Sequence, residues 1–153
     1  MIKLICPLYI VLERKTKPDK KIFVNMNTYR NIHSQLNNQV KVKYKELLKE
    51  QLVGVKIKTP VEITYKVYKA RNNNLDKMNV VSITSKYLLD AITEFGCWTD
   101  DNDDFVKTET IMPTELDRDK PRVEVFIKSI NERFRKDCQE SQAVGEDGSK
   151  LRM

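Results

Sequence analysis

The clearest alternation of apolar and polar positions runs over residues 60–70. Val61, Ile63, Tyr65 and Val67 fall on one side of an extended chain, and Glu62, Thr64, Lys66 and Tyr68 on the other. Successive strand side chains point to opposite faces, so the pattern predicts a half-buried strand. The most apolar stretch is 4–12, and residues 6–12 predict a first strand. A charged turn with Pro18-Asp19 follows, and residues 21–24 predict a short strand pairing back as a hairpin. Asn25 or Asn27 can cap a helix in which Tyr29, Ile32, Leu36, Val40, Tyr44, Leu47 and Leu48 recur at helical spacing. Gly54 closes that region. Residues 78–95 predict the best helix. Val81, Leu88, Ile92 and Phe95 sit near one face, Tyr87, Leu89 and Ala91 widen it, and Gly96 stops it. Residues 105–111 and 122–130 predict two last strands. The order β-β-α-β-α-β-β predicts an α+β fold, a single mixed sheet of about four to five strands with two main helices packed on it. Residues 1–130 then make one domain. Residues 131–153, charged and carrying Gly145 and Gly148, predict a partly disordered tail.

Composition narrows the class. Of 153 residues, 40% are hydrophobic and 33% charged, which is enough apolar content for a core and excludes a wholly disordered or collagen-like chain. No apolar run approaches the length of a membrane span. The apolar stretch near the start has only Lys3 before it and Glu13-Arg14-Lys15 after it, with no small-residue cleavage site. It therefore predicts a strand rather than a signal peptide. Cys6, Cys97 and Cys138 are far apart and form no CxxC, so the sequence supports neither a zinc site nor a disulfide framework. Free thiols suit a reducing, cytoplasmic setting. The net charge of +6 suggests a polyanionic partner.

Carboxylates gather in two places, at Asp76 before the second helix and in the loop Asp100-Asp101-Asn102-Asp103-Asp104 after it. Between them the helix carries Asn79, Lys86 and Asp90. Asn79 and Lys86 are seven residues apart, hence two turns along one face, and Lys86 and Asp90 are neighbours at i, i+4. Clustered carboxylates repel one another unless a cation neutralises them. Mg²⁺ takes oxygen ligands, usually one or two carboxylates beside a substrate phosphate. An acidic cluster in a basic protein thus fits metal-dependent cleavage of a phosphodiester. Plainer uses compete: Asp76 can cap the helix, Lys86 and Asp90 can form a surface ion pair, and the acidic loop can be a solvated turn. An EF-hand does not fit, because Phe105 stands where its glycine belongs and Ile111 where its last glutamate belongs. The lone histidine, His33, lies in a polar helix and predicts a surface or packing role.

Three segments carry a resemblance: Asn74-Leu75-Asp76-Lys77-Met78-Asn79, then Lys86-Tyr87-Leu88-Leu89-Asp90-Ala91-Ile92, then Cys97-Trp98-Thr99-Asp100-Asp101-Asn102. In that order they resemble the RusA family of Holliday-junction resolvases, with its Asp-x-Asp-Asn motif, its Lys-x-x-x-Asp-Ala helix and its Asp-Asp pair. The stretch with Asn25, Asn27, Tyr29 and Arg30 resembles that family's lead-in to its first helix. Met78 replaces the second motif aspartate, and four more residues separate Asn79 from Lys86 than in the family. The resemblance implies an Mg²⁺-dependent endodeoxyribonuclease (Mn²⁺ possible) that cuts four-way or branched DNA as a homodimer, of a kind common in phages and prophages. It implies catalytic roles for Asp76, Lys86, Asp100 and Asp101. Metal would be held by Asp76 and Asp101 with Asp100 contributing, and Asp90 or Asp100 would supply the carboxylate that Met78 lacks. DNA contacts would come from Asn79 and from lysines on the first helix and the central strand, Lys41, Lys45, Lys66 and Lys69 foremost, with Lys43, Lys49, Lys56 and Lys58 as further candidates. The alternative is a branched-DNA-binding protein on the same fold whose activity the Met78 change has removed.

Overall fold

The computed structural model describes residues 1–98 and 105–130. Its elements are β1 (Ile2–Cys6), β2 (Tyr9–Leu12), β3 (Lys20–Phe23), α1 (Met26–Asn31), α2 (Ser34–Leu52), β4 (Val61–Lys69), α3 (Lys77–Glu94), β5 (Val106–Ile111), β6 (Glu115–Leu116) and β7 (Arg122–Ser129). The fold is α+β. The main sheet runs β1-β7-β4-β5, with β6 also paired to β4. Strand β4 is antiparallel to β7 and parallel to β5 and β6, so the sheet is mixed. Among the described residues no helix is long and apolar enough to cross a membrane.

The alternation in β4 does what its period predicts. Val61, Ile63, Tyr65 and Val67 are all buried. They register against Ser129, Ile127, Val125 and Val123 of β7, and Leu4 and Cys6 of β1 extend the same face across Val125 and Val123. Helix α2 lays Val40, Tyr44, Leu48 and Leu52 on this face, and α3 buries nine residues from Val80 to Ile92. Three of the four residues expected on the apolar face of α3 are buried. Phe95 is not, because it is the C-cap and stands beyond the packed turns.

Two expected elements are each split. The apolar stretch at 6–12 is not one strand. Pro7 has no amide hydrogen for a ladder, and the chain leaves the main sheet there. Strand β1 ends at Cys6, and β2 pairs with β3 in a separate two-stranded sheet, Tyr9 opposite Phe23. The first helix is also two. Ile32 and His33 adopt extended backbone between α1 and α2. The Asn25 side chain accepts from the Thr28 amide at 2.8 Å to start α1, and His33 Nδ1 accepts from the Gln35 amide at 3.2 Å to start α2. His33 is therefore an exposed cap. The short β6 and the first half of β1 carry little alternation and were not expected.

Candidate functional site

Helix α3 carries most of the candidate set. Its N-cap is Asp76, whose carboxylate is exposed and accepts from the Asn79 amide at 3.3 Å. The capping role is thus realised. Among the described residues that carboxylate has no ion-pair partner. Asn79 is half-buried in the first turn, and Met78 is 59% exposed beside it. Leu75, partly buried against the core, anchors the approach to the helix.

The rest of the stripe lies farther away than one site allows. A helix rises about 1.5 Å per residue, so Lys86 stands about 15 Å and Asp90 about 21 Å along the axis from Asp76. Asp90 and Asp76 cannot share one metal ion, and the expectation that Asp90 replaces the missing ligand is corrected on that ground. Nor do Lys86 and Asp90 pair with each other. Asp90 meets Lys41 of α2 at 3.4 Å, while the Lys86 ammonium lies 5.8 Å from the ring centre of Tyr29. Lys86 opens into a cavity of about 210 Å³ lined also by Asn37, Lys41 and Tyr87, where the Tyr87 hydroxyl donates to Asn37 Oδ1 at 2.6 Å. Burial pushes the Tyr87 phenol up to about 12, and the Tyr29 phenol beside it adds to the rise.

Asp100 and Asp101 lie outside the described residues, as does the acidic loop as a whole. Among the described residues no group of three His, Cys, Asp or Glu side chains could hold a metal ion.

Three of the four foremost lysine candidates have carboxylate partners. Lys41 pairs with Asp90, Lys45 with Glu94, and Lys66 with Glu115 at 2.9 Å. The first two tie α2 to α3. The third belongs to the sheet face away from the helices, where Lys3, Glu124, Arg122 and Asp117 form a further chain of ion pairs. Lys69 has a different role: its ammonium donates to the Asn73 carbonyl at 2.7 Å and holds the loop leading to Asp76.

That loop borders a groove of about 560 Å³ between the β2–β3 hairpin and the start of α3. Tyr9 and Phe23 meet edge to face at 6.2 Å between ring centres, and the Lys21 ammonium lies 3.9 Å from the Tyr9 ring centre. Lys69, Arg71 and Arg118 line the same groove. Only Lys69 of these was singled out from the sequence. The outward position of Phe23 in a short apolar strand was the one available signal for the others. No family model matches the chain, and a search of curated proteins finds no match.

Proposed function

We propose that the chain is a metal-dependent endodeoxyribonuclease of branched DNA, acting as a homodimer. One observation carries the reading: Asp76 stands exposed at the head of α3, at the end of a loop that borders a cation-lined groove. A phosphodiester held by those cations is delivered next to an unpaired carboxylate.

The donor chemistry is that of a hard cation. Asp76 offers carboxylate oxygen, and Asp100 and Asp101 would complete the set that holds Mg²⁺. Held there, the ion would supply an activated water and would offset negative charge in the transition state. Helix α3 fixes Asp76 through its cap. The groove cations bind the backbone. Lys86, about 15 Å along the helix, serves a neighbouring phosphate rather than the scissile one. Paired cuts on opposite strands of a four-way junction require two such sites, hence the dimer.

Met78 favours a second reading. It sits exposed in the first turn of α3, where the resemblance places a second aspartate, and a thioether is a poor ligand for Mg²⁺. That reading keeps junction binding and loses cutting.

The test is cleavage of a labelled four-way junction beside linear duplex of the same sequence, with and without Mg²⁺. Paired metal-dependent cuts are expected from the wild type and none from Asp76→Asn or Asp101→Asn. Junction binding without cuts in Mg²⁺ or Mn²⁺ would select the second reading. Absence of junction preference would discard both.

A further inference from the structure

The groove beside α3 gathers unpaired cations and an exposed aromatic ring in one concave site. Several cations elsewhere are spent on carboxylates, Lys3, Lys41, Lys45, Lys66 and Arg122 among them, while others, such as Lys49, Lys58 and Lys86, stand singly on the surface without an exposed ring in a groove beside them among the described residues. In the groove, Lys21, Arg71 and Arg118 have no ion-pair partner among the described residues, and Lys69 is bonded only to a carbonyl. Four cations face one carboxylate, Asp119. Unspent positive charge in a concave site attracts and holds a polyanion.

The groove also has an aromatic wall. Phe23 is 52% exposed, so much of its ring is open to a ligand in the groove. Its neighbour Tyr9 supports it edge-on, and the Lys21 ammonium lies 3.9 Å from the Tyr9 ring centre and 5.2 Å from that of Phe23, so the exposed part of the Phe23 ring has a cation beside it. Rings beside cations are what single-stranded nucleic acid needs, since bases stack on the ring and the backbone tracks the charges. The size agrees. A space of about 560 Å³ falls in the range of sites for small ligands, roughly 300–1,000 Å³, and matches a nucleotide or two rather than a duplex.

We infer that this groove binds a single-stranded segment of DNA, with an unpaired base on Phe23 and the flanking phosphates on Arg71 and Arg118. The inference rests on the nucleic-acid part of the reading above and is independent of cleavage. It gives branch recognition a physical basis, because an unpaired nucleotide is available at a strand crossing and not in a continuous duplex.

The experiment is fluorescence anisotropy of an oligodeoxythymidine of about ten nucleotides, against a duplex of mixed sequence, titrated with the full chain across a salt series. Phe23→Ala is expected to weaken single-strand binding about tenfold while duplex binding changes by less than about twofold. Phe23→Trp, which keeps a stacking surface, is expected to restore it. Arg71→Ala with Arg118→Ala is expected to lower the salt slope by about 1.4, the share of two phosphates. Melting curves check that each variant is folded. Wild-type single-strand affinity in both the Phe23→Ala and the double arginine variants would overturn the groove assignment and leave the nucleic-acid reading standing. Equal losses on single strand and duplex would overturn it too, reducing the groove to a basic patch. No binding of either DNA by the wild type would overturn both. Selective loss in the groove variants, with no junction cutting by the wild type, would uphold the groove and remove the nuclease.

Discussion

At the scale of single residues, Asp76 has one observed job and one proposed job, and substitution can separate them. Its carboxylate caps α3, and asparagine caps about as well as aspartate. Asp76→Asn is therefore expected to leave the unfolding free energy within about 0.5 kcal/mol while removing the charge that the proposed chemistry needs. Asp76→Ala is expected to cost about 1 kcal/mol, and a pair of denaturant curves measures the difference. Tyr44 makes the opposite case. Its hydroxyl is fully buried without a well-formed hydrogen bond, and burial pushes the phenol well above its ordinary value. Removing an unsatisfied buried hydroxyl relieves its desolvation cost. Tyr44→Phe is expected to be neutral or stabilising by up to about 1 kcal/mol, read from the same curves. The capping use of Asp76 was legible in the sequence because a cap is local. The unsatisfied state of the Tyr44 hydroxyl was not, since it depends on how the side chains of other elements, Cys6 of β1 and Thr84 of α3 among them, are placed around it.

At the scale of elements, the end of α3 is the sharpest feature. Gly96 has φ +71°, the Gly96 amide bonds to the Thr93 carbonyl, and the Cys97 amide bonds to the Ile92 carbonyl. These are the two bonds of a Schellman stop, and they need a left-handed residue at Gly96. Among the described residues no atom beyond its chain neighbours stands within 4 Å of where a Cβ would lie, so the penalty expected for a side chain is conformational. Gly96→Ala is expected to lower stability by about 1 kcal/mol, seen as a lowered melting temperature with unchanged far-UV circular dichroism. The glycine stop, the long helix before it and the alternating strand β4 were all readable, because each is set by a short-range period. The break between α1 and α2 was not. Ile32 fits the helical spacing, but the His33 side chain satisfies the Gln35 amide, which an unbroken helix would turn to the Asn31 carbonyl. Pro7 was visible as a residue, yet its consequence, the transfer of the chain to another sheet, required the partner strands.

At the scale of the whole molecule, the sheet face away from the helices is neutralised by its own ion pairs. Arg122 stacks on Tyr68 at 3.9 Å and reaches both Asp117 and Glu124, and Lys3 reaches Glu124 from β1. The Arg122 guanidinium and the Lys120 amide hold the Asp117 carboxyl below the usual carboxylate range. Burial works to raise Glu124, but Lys3 and Arg122 together outweigh it, and the net shift is downward. Carboxyls lowered in the folded state contribute stability above their ordinary range and lose it as pH falls through the folded value. The melting temperature is thus expected to hold from neutral pH down to about 5 and to fall in more acid solution. The deficit of Asp117→Asn relative to wild type is expected to be largest near neutrality and to shrink once the carboxyl is protonated. Melting curves across a pH series in both proteins check this.

The sequence by itself determined the hairpin strand 21–24, the long second helix, the strands at 61–69, 106–111 and 122–129, the buried side of β4 and the excess of positive charge, because these follow from local periodicity and from counting. It also ordered the acids, the amide and the lysine that resemble a junction resolvase. Only the tertiary structure decided which charges are spent and which are left over. Lys41, Lys45 and Lys66 looked as free as any lysine on a helix or strand, but the packing of α2 on α3 and of β6 beside β4 gives each a carboxylate. Likewise Asp90 seemed near Asp76 by motif, and a straight helix sets them about 21 Å apart. The groove is assembled from the β2–β3 hairpin, the loop before α3 and the turn around Arg118, segments nearly a hundred residues apart in the chain. Periodicity assigns a side chain to a face. The pairing of that face with another is fixed by strand register and helix contact, which no local pattern contains.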